Sequence, residues 1–499
     1  MAKTTSLFEK FKATGKHGIV YGIGAILEKA LAFLLFPLYT TRLTTADYGI
    51  LGLVTITGSV ITTIFIIGMN YGLLRSYYDY KDEEKKKAVI STAFYILLVS
   101  SLILLVIGVF SARRLSIILF DSPEYRIHFL LIVITSFFQV LNTIPYIVFR
   151  VKMKSLQFIL FQIGFLATGI GVIIYLVNNR GWGVLGALTG NLVMAAISCI
   201  SLYIYIRREI VFRIIRYEIK KMLLMGSPLI PANLSVFVFT AIDRYFLNYY
   251  RTTGEVGIYN LAYNFGNIMT VLIATPISLI WPAMYLSVKE HDNAKEFYSR
   301  TLTYVLSISL FLFLGLSLLS KEILQIFSDR EFWDAYLVIP LIVFTYAIWS
   351  TRKILNVAIT IYRKTQATAV IEFTGAAVNI GLNFLLIPRY GIFGAAYATL
   401  ITYIIVTMAM FFYNQKLMKL YYEWPRIIKL LLATAIIFSA GYFINTGSIT
   451  VTIVVKLIII LIFPLLLWLF RFFTDGEKEK SREYFVKILN KVKTYIIRK

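Results

Sequence analysis

Runs of about 20 apolar residues, the length that crosses a bilayer as a helix, recur from one end of this chain to the other, divided by short basic loops. That recurrence excludes a soluble globule. Of 499 residues, 59% are hydrophobic and only 15% charged, too few polar groups to cover a folded surface in water. No run alternates as a barrel strand does. The expectation is an all-α membrane protein with 14 transmembrane helices. They fall at approximately 18–40, 49–70, 88–111, 127–149, 157–177, 183–206, 229–249, 256–281, 301–320, 336–356, 368–387, 392–413, 427–445 and 450–472.

An even number of spans places both termini on one side. Assigning them to the cytoplasm gives lysine and arginine a cytoplasmic bias of about four to one, the asymmetry that orients membrane proteins. The formal charge of +24 therefore reads as topology and contact with anionic lipid, and no nucleic-acid partner is expected. The first run is long, contains charges and lacks a small-residue cleavage site, so it reads as a retained span. Cys199 is the only cysteine, which excludes disulfides and thiolate metal centres. His17, His128 and His291 have no metal-type spacing. The chain lacks Walker, His-Glu-x-x-His and Gly-x-Ser-x-Gly sequences, so no catalytic residue, metal or resident cofactor is expected.

The chain also repeats itself. Thr44, Thr45, Asp47, Gly49 and Ile50 reappear as Thr252, Thr253, Glu255, Gly257 and Ile258 at a constant shift of 208 residues. Asp121 maps likewise to Asp329, and Gly183, Gly186 and Ala187 to Gly391, Gly394 and Ala395. Each copy holds six spans, an even number, so the copies enter the membrane in the same direction and form two parallel lobes around a central cavity. The resulting domains are 1–222 (N-lobe), 223–415 (C-lobe), 416–476 (two additional spans) and 477–499 (an amphipathic tail on the cytoplasmic surface). Gly186-x-x-x-Gly190 and Gly394-x-x-x-Ala398 offer close helix packing within each lobe.

A charge at mid-membrane costs about 2.5–3.5 kcal/mol on insertion scales, so the few within spans are candidates for function. They are Glu28, Lys29, Asp243, Arg244, Glu372 and Lys456. Neighbouring helical residues diverge by about 100°. Each of the pairs Glu28-Lys29 and Asp243-Arg244 is therefore expected to need room or a partner on another helix; if spans one and seven face each other across an interlobe cavity, Lys29 meets Asp243 and Glu28 meets Arg244. Arg75, and Arg352-Lys353 at similar depth, are placed to receive an anionic headgroup or to anchor on lipid phosphate. Glu28, Asp243 and Glu372 are the candidates for ion coupling or charge pairing.

The ordered set Glu28-Lys29, Phe36-Pro37-Leu38, Thr41-Arg42-Leu43, Asp47-Tyr48-Gly49, Gly72-Leu73-Leu74-Arg75-Ser76-Tyr77-Tyr78, Asp243-Arg244-Tyr245 and Gly257-Ile258-Tyr259 resembles the polysaccharide-biosynthesis branch of the multidrug/oligosaccharidyl-lipid/polysaccharide exporter superfamily. The resemblance implies a flippase, not an enzyme. Its substrate would be a polyprenyl-pyrophosphate-linked oligosaccharide, moved from the inner to the outer leaflet of the cytoplasmic membrane by alternating access. It also implies membrane lipid as a partner and leaves polymerase or ligase machinery as a further one. On that reading Lys29, Arg75 and Arg244 serve the pyrophosphate, Asn70, Asn264 and Asn267 (with Gln139 and Asn142) serve the sugars, and a proton or sodium ion is the candidate coupling ion. Lipid II flippases and drug antiporters of the same superfamily are the competing readings.

Overall fold

The computed structural model describes residues 33–479 and, before them, Gly24, Ile26, Leu27 and Leu31. Among the described residues the chain is helical throughout, with no strand. In the first half run α1 (Leu35–Arg42), α2 (Thr45–Phe65), α3 (Met69–Tyr78), α4 (Glu83–Phe120), α5 (Arg126–Val151), α6 (Ser155–Ile174) and α7 (Gly183–Ile206). The second half comprises α8 (Arg216–Gly226), α9 (Leu229–Tyr250), α10 (Thr253–Met269), α11 (Thr275–Val288), α12 (Ala294–Leu318), α13 (Ser320–Phe327), α14 (Ala335–Leu355), α15 (Val357–Ile361) and α16 (Thr365–Leu417). Two further helices follow, α17 (Trp424–Tyr442) and α18 (Ile449–Leu469).

Eleven of the described helical segments are long and apolar enough to cross a membrane; Arg216–Ser235 and Phe237–Tyr250, bent by 48° against each other, make a twelfth if taken together. This is a multi-pass membrane protein. The 53 residues of α16 would stretch about 80 Å as one helix, far beyond a bilayer core of about 30 Å. They turn back at Gly391, where φ is 54°. Of the expected first span, 18–40, mainly the end is described, as α1; Glu28 and Lys29 lie outside the described residues.

The repeat is written into backbone conformation. Thr44 caps α2, its hydroxyl accepting from the Asp47 amide while Asp47 returns the bond. Thr252 caps α10 by accepting from the Glu255 amide. Such caps are worth about 1 kcal/mol each, and here they stop one span and start the next. Gly183 and Gly391 both adopt positive φ, 51° and 54°, a conformation open to glycine at little cost.

We call the end bearing residues 43–44 and 251–252 the upper end. There α2 crosses α10 with backbones touching. A Cβ on Gly49 would lie 2.0 Å from the Thr253 carbonyl oxygen, and one on Gly257 1.9 Å from that of Thr45. The two contacts are the same contact with the halves exchanged. Within the first half, Gly190 and Gly186 admit Ile173 and Leu176 at the close spacing of the small-residue motif.

At the opposite, lower end α8 packs on α3. Gly68 meets Gly226 and Gly72 meets Met222. Tyr80 donates to Glu218 at 2.9 Å, and Lys221 reaches Asp79 at 2.8 Å. The expected boundary at 222/223 thus falls inside a helix that rests on the first half.

Segment 321–335, which the expected spans 301–320 and 336–356 leave as a connection, includes most of α13, and its Glu322 is buried. Lys456, expected as an isolated charge in the last span, meets Glu322 at 2.7 Å and donates to the Leu318 carbonyl at 2.9 Å. The added helices are bolted to the second half by that pair. Beyond Glu479 the expected amphipathic tail lies outside the described residues.

Candidate functional site

A cavity of about 670 Å³ opens between the halves. From the first half it is lined by Phe33, Leu35, Phe36 and Tyr39 near α1, Leu51, Gly52, Thr55 and Ile56 on α2, and Asn191 on α7. From the second it takes Arg244 on α9 and Asn260, Tyr263, Asn264 and Asn267 on α10. The α10 set follows helical spacing, i, i+4 and i+7 from Asn260, so one face of that helix is polar.

The charges are held in one network. Asp243 Oδ2 accepts from the hydroxyls of Tyr259 at 2.7 Å and Tyr263 at 3.0 Å. Its Oδ1 accepts from Arg244 Nη1 at 3.2 Å and from the Arg244 backbone amide at 3.0 Å. Thr399 approaches Oδ2 at 3.4 Å. Arg244 Nε donates to Asn260 Oδ1 at 2.5 Å, Nη1 donates to the Thr240 carbonyl, and the guanidinium lies 3.8 Å from the Tyr263 ring centre. Among the described residues Nη2 makes no hydrogen bond. Nor does the buried Nδ2 of Asn260, an unmet donor that ordinarily costs free energy. Asn260 Nδ2 is packed beside Gly52, so Arg244 Nη2 is the donor left for an anion on this wall.

The expected partners of this pair, Lys29 and Glu28, lie outside the described residues; within them the pair is satisfied locally. Asp243 and Arg244, adjacent on one helix, pair with each other, because the long guanidinium arm folds back while two tyrosines from α10 satisfy the carboxylate's other oxygen. Glu372 and Arg352 also pair, and Arg352, expected to receive a headgroup or lipid phosphate, is buried between the Phe239 and Tyr403 rings. Of the remaining expected residues, Asn264 and Asn267 line the cavity. Asn70 and Arg75 are exposed on α3, outside the cavity lining. Asn142 is turned inward to Ser198 at 2.8 Å, and Gln139 accepts from Thr62 at 3.2 Å. Asn260, Tyr259, Tyr263 and Gly52 were not anticipated. The doubled Tyr-Asn at 259–260 and 263–264 was the available signal.

Hydrogen bonds beside the cavity tie the halves together. Asn264 donates to the Tyr48 hydroxyl at 2.7 Å, and Thr57 and Tyr245 share a hydrogen bond of 2.8 Å. At the upper end the Thr40 hydroxyl donates to the Phe327 carbonyl at 3.0 Å, the Asp329 amide to Thr40 at 3.1 Å, and Asn248 to the Leu119 carbonyl.

Comparison with known proteins agrees with this architecture. The fold is similar to that of the lipid II flippase MurJ in an inward closed conformation, with a TM-score of 0.72 and 17% identity over 90% of this chain and 99% of that one. It is also similar to an inward-facing multidrug resistance MATE family transporter of the MOP superfamily, with a TM-score of 0.68 and 13% identity over 80% of this chain and 97% of the other. In sequence it is 22% identical over 193 residues to a Haloferax volcanii protein named as a probable low-salt glycan biosynthesis flippase, Agl15; the match spans 38% of this chain and 41% of that relative's length. The family model described as "Polysaccharide biosynthesis protein" matches residues 41–337, more than half of the chain. The chain belongs to the polysaccharide biosynthesis protein family and has the fold of MOP-superfamily flippases and transporters.

Proposed function

We propose that this protein is a flippase, not an enzyme. Its substrate on this reading is a polyprenyl-pyrophosphate-linked oligosaccharide, a repeat unit of O-antigen, capsule or exopolysaccharide. The observation that carries the reading is the wall at Arg244. A guanidinium lining the cavity is fixed by Asp243, Asn260 and Tyr263 with Nη2 left over, which suits a pyrophosphate approached from the cavity. Asn264 and Asn267 suit sugar hydroxyls, and the polyprenyl tail stays in lipid, so the headgroup never crosses hydrocarbon unsolvated.

The upper end is the outer face on this proposal, and the halves rock about the closed crossing of α2 and α10 to alternate access. Lys29 remains a proposed second cation for the same headgroup. A coupling proton or sodium ion at Asp243 or Glu372 would have to displace a guanidinium, because both carboxylates are already paired. Glu28, the third candidate for ion coupling, lies outside the described residues.

The test places purified protein in liposomes with a polyprenyl-pyrophosphate oligosaccharide in one leaflet and follows headgroup exposure to an impermeant sugar-modifying enzyme. Protein-dependent exposure that fails in Arg244→Gln supports the reading. Uptake of a soluble organic cation without headgroup exposure overturns it.

A further inference from the structure

A second recess, about 430 Å³, opens at the lower end of the first half, where α5 ends, α6 begins and α7 runs into the 207–215 loop. None of its lining residues is shared with the central cavity. Four basic residues surround it, Lys152, Lys154, Arg207 and Arg208, with one carboxylate, Glu209. Lys152 holds that carboxylate in an ion pair. Lys154 donates to the Tyr205 hydroxyl at 3.2 Å and stands 5.2 Å from its ring centre. Among the described residues no carboxylate lies within ion-pair distance of Arg207 or Arg208. Three positive charges are therefore left over around one recess.

The surroundings decide which anion fits. Ile204, which lines the recess, is 60% exposed, and Leu156 and Leu160, in the first and second turns of α6 after Lys154, are 64% and 62% exposed, as residues facing acyl chains are. The loop leaving the recess holds Phe212 fully exposed beside Arg213, the pairing of an aromatic with a cation found where headgroups meet chains. That loop is pinned, not collapsed: Val211 and Ile215 amides donate to Ser91 at 2.8 Å and Thr92 at 3.0 Å.

We propose that this recess binds the phosphodiester headgroup of an anionic phospholipid in the leaflet at the lower end, with the chains lying along Leu156, Leu160 and Ile204. Basic pockets between membrane helices recognise such headgroups. The bound lipid holds the first half at a fixed depth in the bilayer, independently of the central cavity.

The experiment exposes the full-length protein in detergent to phosphatidylcholine or phosphatidylglycerol and counts retained lipids by native mass spectrometry. One phosphatidylglycerol should be retained in preference to phosphatidylcholine. Removing two charges in Arg207→Gln/Arg208→Gln should weaken that retention about 30-fold, whereas Arg113→Gln/Arg114→Gln at the upper end should not. If the double variant loses its monodisperse elution, Lys154→Gln, whose side-chain ammonium donates to Tyr205, replaces it. Equal retention in the variants, or of the two lipids, overturns the proposal. Competition by inorganic phosphate at parity with the lipid would make the recess a soluble-anion site, and preferential displacement by a polyprenyl phosphate would make it a substrate site; either outcome also overturns it.

Discussion

Leu35-Phe36 and Asp243-Arg244 occupy the same positions of the two repeats, 208 residues apart, and belong to opposite sides of one cavity. One side is greasy and the other carries an ion pair. The helices beside them diverge in the same sense. Leu51, Gly52 and Thr55 on α2 stand where α10 has Tyr259, Asn260 and Tyr263. By contrast, the crossing above them has stayed symmetric, with Gly49 on Thr253 mirrored by Gly257 on Thr45. The lesson is that the scaffold and the lining answer to different demands. Close backbone contact needs glycine in both copies, whereas a headgroup needs one set of donors.

The largest expected effect tests that asymmetry directly. Arg244→Gln should lower headgroup exposure about 100-fold, the scale of losing charged hydrogen bonds worth about 1.5–3 kcal/mol. Phe36→Leu, at the equivalent position, should change it less than about threefold, since a volume-modest apolar swap costs little. Equal losses would break the comparison. Loss of Arg244 also leaves Asp243 buried without its cation, so the measurement is repeated in Asp243→Asn/Arg244→Gln, where no charge is stranded.

Next in size is Gly52→Ala. Its new methyl would fall 1.9 Å from Asn260 Nδ2, which must move and release Arg244, and transport should fall about tenfold, the price of one charge-assisted bond. Unchanged transport would show that Asn260 is not what holds the guanidinium. Gly49→Ala and Gly257→Ala should then each destabilise the closed crossing by about 1–3 kcal/mol, and by the same amount. Reaction of cysteines introduced at Thr55 with an impermeant reagent from the upper side measures the opening. A twofold symmetric crossing is sunk if one glycine tolerates alanine and the other does not.

The smallest effect belongs to the lower-end latch. The Lys221 ammonium hydrogen-bonds Asp79 and holds its carboxyl below the ordinary value of 3.8. A depressed carboxyl contributes stability above its unfolded value and loses it as pH falls through the folded one, so the contribution is present at neutral pH and fades in acid below 3.8. Asp79→Asn should abolish that fraction of the acid dependence of thermal unfolding, and because the group is exposed the change is slight.

How much of this was legible in the sequence follows from range. The apolar spans are local and their residues announce them, as does the repeat that pairs Thr44 with Thr252 and Gly183 with Gly391; that these positions cap helices and take positive φ was seen only in the structure. Asn264 and Asn267 were legible because a polar face on an apolar helix has few other uses. The pairing of Asp243 with Arg244 was missed because helical wheel geometry concerns Cβ directions, while an arginine side chain is long enough to fold back on its neighbour. Glu322 escaped because a short helix hidden in a connection looks like a loop. Arg352 was assigned to lipid because nothing in its own segment announces Glu372, twenty residues away.

The clasp between Lys456 and Glu322 has a mechanical consequence. Both partners are buried, so separating them would strand two charges in a medium that solvates neither, a penalty of several kcal/mol. The last two helices therefore travel as cargo hitched to the second half during any rocking of the halves. Whatever lipid lies against their outer faces is dragged along with that half.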